Sequence, residues 1–252
     1  MYQNERLNSI TEILRQYGYV TVKYLASALH YSSATINRDL NLLEGRGVLK
    51  RTYGGVELTE SSAAIPLPFR YHLSKTEKLH ICKKAAELID DGNVIFIDAG
   101  TTTEGMAQFL TAKKDLTVIT NNISLAARLS ESKIHTVVLG GTIVEPPAMI
   151  WSAETVDAAL LYRADKLFFS SSSATKEGKV YFRENVALLL MKNMMRQARQ
   201  TFFLVDGDKL SEDIEGGIYY FCDFSCFAGV ISDYSFPQQT KSAFPDTKFI
   251  EV

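Results

Sequence analysis

From Lys75 onward the sequence repeats one pattern: an amphipathic stretch, a short apolar run, then a turn of small polar residues. Residues 77–89 precede the run 94–97, 105–110 precede 116–119, and 124–129 precede 136–139. Further along, 155–161 precede 166–169 and 185–199 precede 201–205, and the runs 226–231 and 248–252 close the series. Runs this short and this uniformly apolar read as strands buried on both faces, and strands separated by helices lie parallel. The expectation is an α/β domain with a mainly parallel sheet over 75–252, with any ligand beyond the carboxyl ends of the strands.

The first 58 residues follow a different rule. Leu7, Ile10, Leu14 and Tyr17 recur at steps of three and four up to Gly18, which is one helical face and its stop. A second helix fits 21–29, with the Thr21 hydroxyl placed to cap it. A third starts at Ser32 or Ser33, turns Ile36, Leu40 and Leu43 inward, and ends at Gly45 and Gly47. The segments 48–52 and 56–58 flank Tyr53-Gly54-Gly55 as a two-stranded wing. Between Thr59 and Pro68 the sequence turns to Thr, Glu, Ser, Ala and Pro with no periodic pattern, so the expected organisation is a small helical domain with a wing (1–58), a linker (59–74) and the α/β domain (75–252).

Two places carry chemistry. On the outer side of the third helix stand Ser32, Ser33, Thr35, Asn37 and Arg38, with Lys50 and Arg51 on the wing, which are groups suited to base edges and phosphates. An ordinary solvated helix face would look the same. Charge favours the first reading: residues 1–57 hold seven basic against five acidic groups, so a chain of net charge −2 has a positive first segment. The second place is the rim of the sheet. The run 94–97 continues into Asp98-Ala99-Gly100-Thr101-Thr102-Thr103, the next strand is followed by Thr120-Asn121-Asn122, and the next by Gly140-Gly141-Thr142. Turn amides and hydroxyls at the start of a helix suit a phosphate, and a plain strand-to-helix turn is the alternative.

At 46% apolar and 22% charged, the chain is neither disordered nor a disulfide scaffold. Its apolar runs are far below the roughly 18 residues that span a bilayer, so no membrane partner is expected. Glu5, Arg6, Glu12 and Arg15 interrupt any signal-peptide layout, and the expected location is the cytoplasm. Cys82, Cys222 and Cys226 lack metal-ligand spacing and read as buried thiols; neither metal nor cofactor is implied.

The strings Ser33-Ala34-Thr35-Ile36-Asn37-Arg38-Asp39-Leu40, Leu43-Glu44-Gly45-Arg46-Gly47-Val48-Leu49-Lys50-Arg51 and Gly54-Gly55 closely resemble the N-terminal winged helix-turn-helix of the DeoR family of bacterial transcriptional regulators. The rim segments resemble that family's sensor domain, which is similar in fold to ribose-5-phosphate isomerase, and the resemblance runs through nearly the whole chain. It implies a repressor of a sugar-metabolism operon that binds double-stranded operator DNA as a dimer or tetramer and answers to a phosphorylated sugar. Asn37 stands where the family usually has a second Arg, and the serines 170–173 stand where it more often has Gly and Ala, so neither operator nor effector can be carried over. The resemblance also places Asp206 and Lys209 of Asp206-Gly207-Asp208-Lys209 at a strand end facing the effector, with Ser171 and Glu184 as further candidates.

The competing reading is a sugar-phosphate isomerase with an appended DNA-binding domain. Isomerisation needs a carboxylate base and a group that polarises the carbonyl. In the isomerase fold acidic residues follow the strand that here reads Leu167-Phe168-Phe169 and continues into serines. A hydroxyl does not remove a carbon-bound proton near neutral pH, so the expectation is a sensor and not an enzyme.

Overall fold

The computed structural model describes residues 3–46, 48–52, 54–58, 74–145, 149–211 and 219–252, and the chain divides into two compact units, Met1–Leu73 and Ser74–Val252. The expected linker lies outside the described residues except for Ser74, as do Gly47 and Tyr53 of the wing region.

The first unit runs α1 (Gln3–Tyr17), β1 (Tyr19–Thr21), α2 (Val22–Ala28), α3 (Ser33–Gly45), β2 (Leu49–Thr52) and β3 (Gly55–Leu58). Leu7, Ile10, Leu14, Leu25, Ile36, Leu40 and Leu43 meet in one core, which is the set that helical spacing selects. Hydroxyl caps start two helices: Thr21 accepts from the Tyr24 amide at 3.1 Å and Ser32 from the Thr35 amide at 3.2 Å. The wing is β2 paired antiparallel with β3, but β3 also pairs with β1, giving a three-stranded sheet in the order β1-β3-β2. Periodicity misses β1 because its three residues are all buried and show no alternation. Gly55 makes this pairing possible, since a Cβ there would fall 2.3 Å from the Val20 carbonyl oxygen.

The second unit continues α4 (Lys75–Glu87), β4 (Val94–Ile97), α5 (Ala107–Leu110), β5 (Thr117–Thr120), α6 (Ile123–Leu129), β6 (His135–Val138), β7 (Ile143–Glu145), β8 (Met149–Ile150), α7 (Ala153–Ala158) and β9 (Ala164–Phe169). Then come β10 (Ser173–Thr175), β11 (Lys179–Phe182), α8 (Asn185–Gln197), β12 (Ala198–Leu204), β13 (Leu210–Ser211), β14 (Tyr219–Asp223), β15 (Gly229–Ser232), α9 (Gln238–Ala243) and β16 (Lys248–Glu251). Seven strands form one parallel sheet in the order β16-β15-β12-β9-β4-β5-β6. Neighbouring residues of a strand feed opposite layers. Ile95, Ile97, Phe168 and Leu204 join Ile81, Cys82, Ala85 and Leu125 on one face, whereas Phe96, Phe169 and Phe203 join α8 on the other.

Three sequence expectations change here. A mixed four-stranded sheet, in the order β13-β10-β11-β14, covers Phe169 and Phe203 with Phe182 and Phe221, and the 3-10 turn after β14 adds Phe224 and Phe227. Its strands were not expected, nor were the β7–β8 hairpin and α9, because these short segments carry no helix-length period. The helix expected over 105–110 is a 3-10 turn, Glu104–Met106, leading into four α-helical residues. Of the three cysteines only Cys82 is buried; Cys222 is half-buried and Cys226 exposed, and all are free. Cys222 lies in the edge strand β14 of the mixed sheet and Cys226 in the 3-10 turn that follows it.

Candidate functional site

Along the large sheet the chain moves outward from β4 through β5 to β6, then returns to place β9 on the other side of β4. The order reverses between β4 and β9, and in parallel sheets ligands bind at the carboxyl ends beside such a reversal. Asp98 directly follows β4 and Ser170 directly follows β9. The Ser170 amide donates to Asp98 Oδ2 at 3.1 Å, and the Asp98 amide donates to the Phe168 carbonyl at 3.1 Å, so the reversal point is stitched shut at its base.

Lys209 enters from the 3-10 turn after β12. Its ammonium donates to Thr102 Oγ1 and to Ser170 Oγ, each at 3.0 Å, and lies 3.8 Å from Asp206 Oδ2. The Thr103 hydroxyl donates to Asp98 Oδ1 at 2.6 Å and accepts from the Gly100 amide at 3.1 Å. Asp98, Thr102, Thr103, Ser170 and Asp206 are all buried. Thr101 and Gly100 are half-exposed above them, and among the described residues the Thr101 and Thr102 amides donate to no protein acceptor. Asp206 Oδ2, though buried, has no hydrogen-bond donor among the described residues.

The Asp98 carboxyl is raised to about 6, chiefly by burial, against the pull of Thr103, the Ser170 amide and Lys209. A raised pKa in the folded state means that this group's contribution to stability is complete below about pH 4 and is lost as pH rises through about 6. A shift of this size corresponds to about 2–3 kcal/mol. We therefore expect Asp98→Asn, which does not titrate, to gain stability relative to the unsubstituted chain as pH is raised from 4.5 to 7.5. Melting curves of both proteins across that range check it; parallel pH profiles would disprove it.

Not every candidate joins this cluster. Asn121 donates to the Ile150 carbonyl at 3.1 Å, leaving its buried Oδ1 without a donor among the described residues. Gly140 and Gly141 are exposed in the turn between β6 and β7 and approach the start of α7: the Gly140 carbonyl accepts from Thr155 Oγ1 at 2.7 Å. Gly141 has φ +141°, and a Cβ there would fall 2.2 Å from that hydroxyl. Ser171 turns to the Ser173 carbonyl, and Glu184 is exposed at the start of α8. The residue overlooked in the serine run is Ser170. Its position directly after a strand, like that of Asp98, was the available signal.

In the first unit, Ser33 and Arg38 are exposed on α3, and Arg38 has no side-chain partner among the described residues. Ser32 and Thr35 share a hydroxyl contact of 2.9 Å at the helix start. Asn37 and Arg51 bond to each other at 3.2 Å, and Lys50 pairs with Glu57 across the wing at 3.0 Å.

A three-helix unit with a wing, followed by a parallel-sheet unit with a charged cluster at its strand reversal, defines a DNA-binding protein fused to a sensor. Comparison with known proteins supplies the family. The DeoR-like helix-turn-helix domain matches residues 6–62, and the DeoR C terminal sensor domain matches residues 73–234. The chain belongs to the DeoR family and is a DNA-binding transcriptional regulator. It is 30% identical to the glycerol-3-phosphate regulon repressor of Escherichia coli over 84% of this chain and 85% of that one. It is 33% identical to the HTH-type transcriptional repressor GlcR of Bacillus subtilis over 83% and 81%. A D-ribose-5-phosphate isomerase in complex with phospho-erythronic acid superposes on 56% of each chain with TM-score 0.41 and 18% identity, too remote to carry any assignment.

Among the described residues no helix is long and apolar enough to cross a membrane.

Proposed function

We propose that the chain is a cytoplasmic repressor of a sugar-metabolism operon, released from or held on its operator by a phosphorylated sugar bound at the β4–β9 reversal. The proposed organisation is a DNA-binding domain over 1–58, a linker over 59–74 and an effector and assembly domain over 75–252, working as a dimer or tetramer. The observation that carries the effector reading is Lys209. A single ammonium held between Thr102 and Ser170, beside two buried carboxylates and below the Thr101 and Thr102 amides, offers a phosphate a cation and donors at once. Asp98 and Asp206 then supply acceptors for sugar hydroxyls. The helix-dipole part of the sequence argument falls away, since the helix after this loop is too short, and the loop amides and Lys209 remain.

A panel of pentose, hexose and triose phosphates tests this directly. We expect at least one member to raise the melting temperature of the sensor unit and none to be turned over. Turnover of any member would establish the isomerase reading instead, and absence of any shift would remove the effector site from this rim.

On the DNA side, Arg38 is the uncommitted guanidinium of the recognition helix. Arg38→Ala should weaken binding to the operator by about 1–3 kcal/mol, the worth of one good base contact, while leaving the response to sugar phosphate intact. An unchanged mobility-shift titration would mean that another face of the unit docks on DNA.

A further inference from the structure

Both wing residues that the sequence offers to DNA have partners within the protein, and each of the three guanidinium nitrogens of Arg51 meets an acceptor. Its Nε lies 3.3 Å from Glu44 Oε2, one terminal nitrogen donates to Asn37 Oδ1 at 3.2 Å, and the other donates to Asn41 Oδ1 at 2.6 Å and to the Asn37 carbonyl at 3.4 Å. The Arg51 amide also donates to Glu44 Oε1 at 3.3 Å. Asn37, Asn41 and Glu44 are spaced four and three residues apart, so a single guanidinium runs down one stripe of α3 from a strand of the wing. The Asn37 carboxamide is committed at both ends, because its Nδ2 donates to the Ser33 carbonyl at 2.9 Å while its Oδ1 accepts from Arg51.

We infer that Arg51 is a positioning residue for the recognition helix and not a phosphate contact, and that Asn37 is part of its clamp and not a bidentate reader of adenine. Adenine recognition by Asn needs the amide donor and the carbonyl acceptor aimed together at one base edge, and in this chain both ends of the carboxamide are oriented by partners within the protein. Glu44 offsets the charge of Arg51, so the pair adds little attraction for the DNA backbone. What the clamp supplies is a fixed angle between wing and helix, which sets where Ser33, Thr35 and Arg38 reach in the groove. This inference rests on the reading of α3 as the DNA-facing helix.

The test uses the full-length chain, a duplex that it selects from a random pool, and a scrambled duplex of the same composition. A residue that touches phosphate lowers the slope of log K against log salt by about 0.9 when removed, whereas a residue acting inside the protein leaves the slope alone. We expect Arg51→Ala to bind the selected duplex roughly three- to tenfold more weakly, to lose discrimination against the scrambled one, and to keep the salt slope. Asn41→Ala removes an acceptor of the clamp without changing charge. It should show the same pattern more weakly, and it carries the test if Arg51→Ala fails to fold by circular dichroism. A slope reduced by about 0.9 in Arg51→Ala, or unchanged affinity and discrimination in the folded variants, would overturn the inference. Arg38→Ala is the control for the docking face: normal affinity there would overturn that reading, and with it this one, whatever Arg51→Ala does.

Discussion

Arg6→Ala is expected to unfold the DNA-binding unit while the melting transition of the sensor unit stays where it was. Asp39 lies on the inner side of α3 with its side chain 1% exposed, and Arg6 reaches it from α1 with both Nε and a terminal nitrogen, the latter at 3.0 Å. Gln3 adds a third donor at 3.3 Å, and the Arg6 guanidinium lies 4.6 Å from the centroid of the Tyr31 ring. Removing Arg6 leaves a buried carboxylate with one long hydrogen bond. Breaking a buried pair in this way costs about 3–5 kcal/mol. A unit of roughly 60 residues has only about 3–9 kcal/mol in total, at the usual worth per residue. The loss is therefore comparable with the whole stability of the unit, and DNA binding should disappear with it. Differential scanning calorimetry of the full chain, read together with a mobility-shift titration, checks this. Two transitions at their original temperatures would show that solvent or a neighbouring group takes over the Asp39 carboxylate.

The second large effect belongs to the sensor unit. Lys209→Ala should weaken sugar-phosphate binding by about 1.5–3 kcal/mol, or roughly 10- to 150-fold, because it removes the cation that Thr102 and Ser170 hold at the reversal point. It also leaves Asp98 and Asp206, both buried, without that positive charge between them and an incoming phosphate, so the local field turns against the anion. Gly100→Val should abolish the response by a different route. Gly100 does not have a positive φ, so backbone strain is not the reason. A Cβ there would lie 3.1 Å from Thr103 Oγ1 and 3.3 Å from Asp98 Oδ1, and the two further methyl groups of valine would press on the hydroxyl that holds Asp98 and crowd the half-exposed loop amides. Both variants should retain operator binding. Calorimetric titration with the best member of the panel decides the matter, and wild-type affinity in both would place the effector elsewhere.

These expectations depend on different sources of information. Hydrophobic pattern located the helices of the first unit and the seven parallel strands, since the inner strands are short apolar runs that must be covered on both faces, while the edge strands β6 and β16 are partly exposed and less uniform. Turn composition named Asp98 and the Gly-Thr loop, because small polar residues at strand ends are a local signal, and the family resemblance named Asp206 and Lys209. Tertiary structure decided what these residues are near. Lys209 follows β12, Ser170 follows β9 and Thr102 follows β4, and only the strand order brings Thr102 and Ser170 each within 3.0 Å of the Lys209 ammonium. The same folding step separated Gly140, whose carbonyl accepts from Thr155, Gly141, which relieves crowding against the start of α7, and Ser171, which turns to a neighbouring carbonyl, from the cluster that their composition suggested. In the first unit the sequence marked Asn37 and Arg51 as surface polar groups. That both also turn to partners within the protein follows from β2 lying alongside α3, where a guanidinium with five donors meets a stripe of acceptors. Sequence determines the elements because burial pattern is local; partners fourteen or a hundred residues apart are fixed only when packing closes the distance.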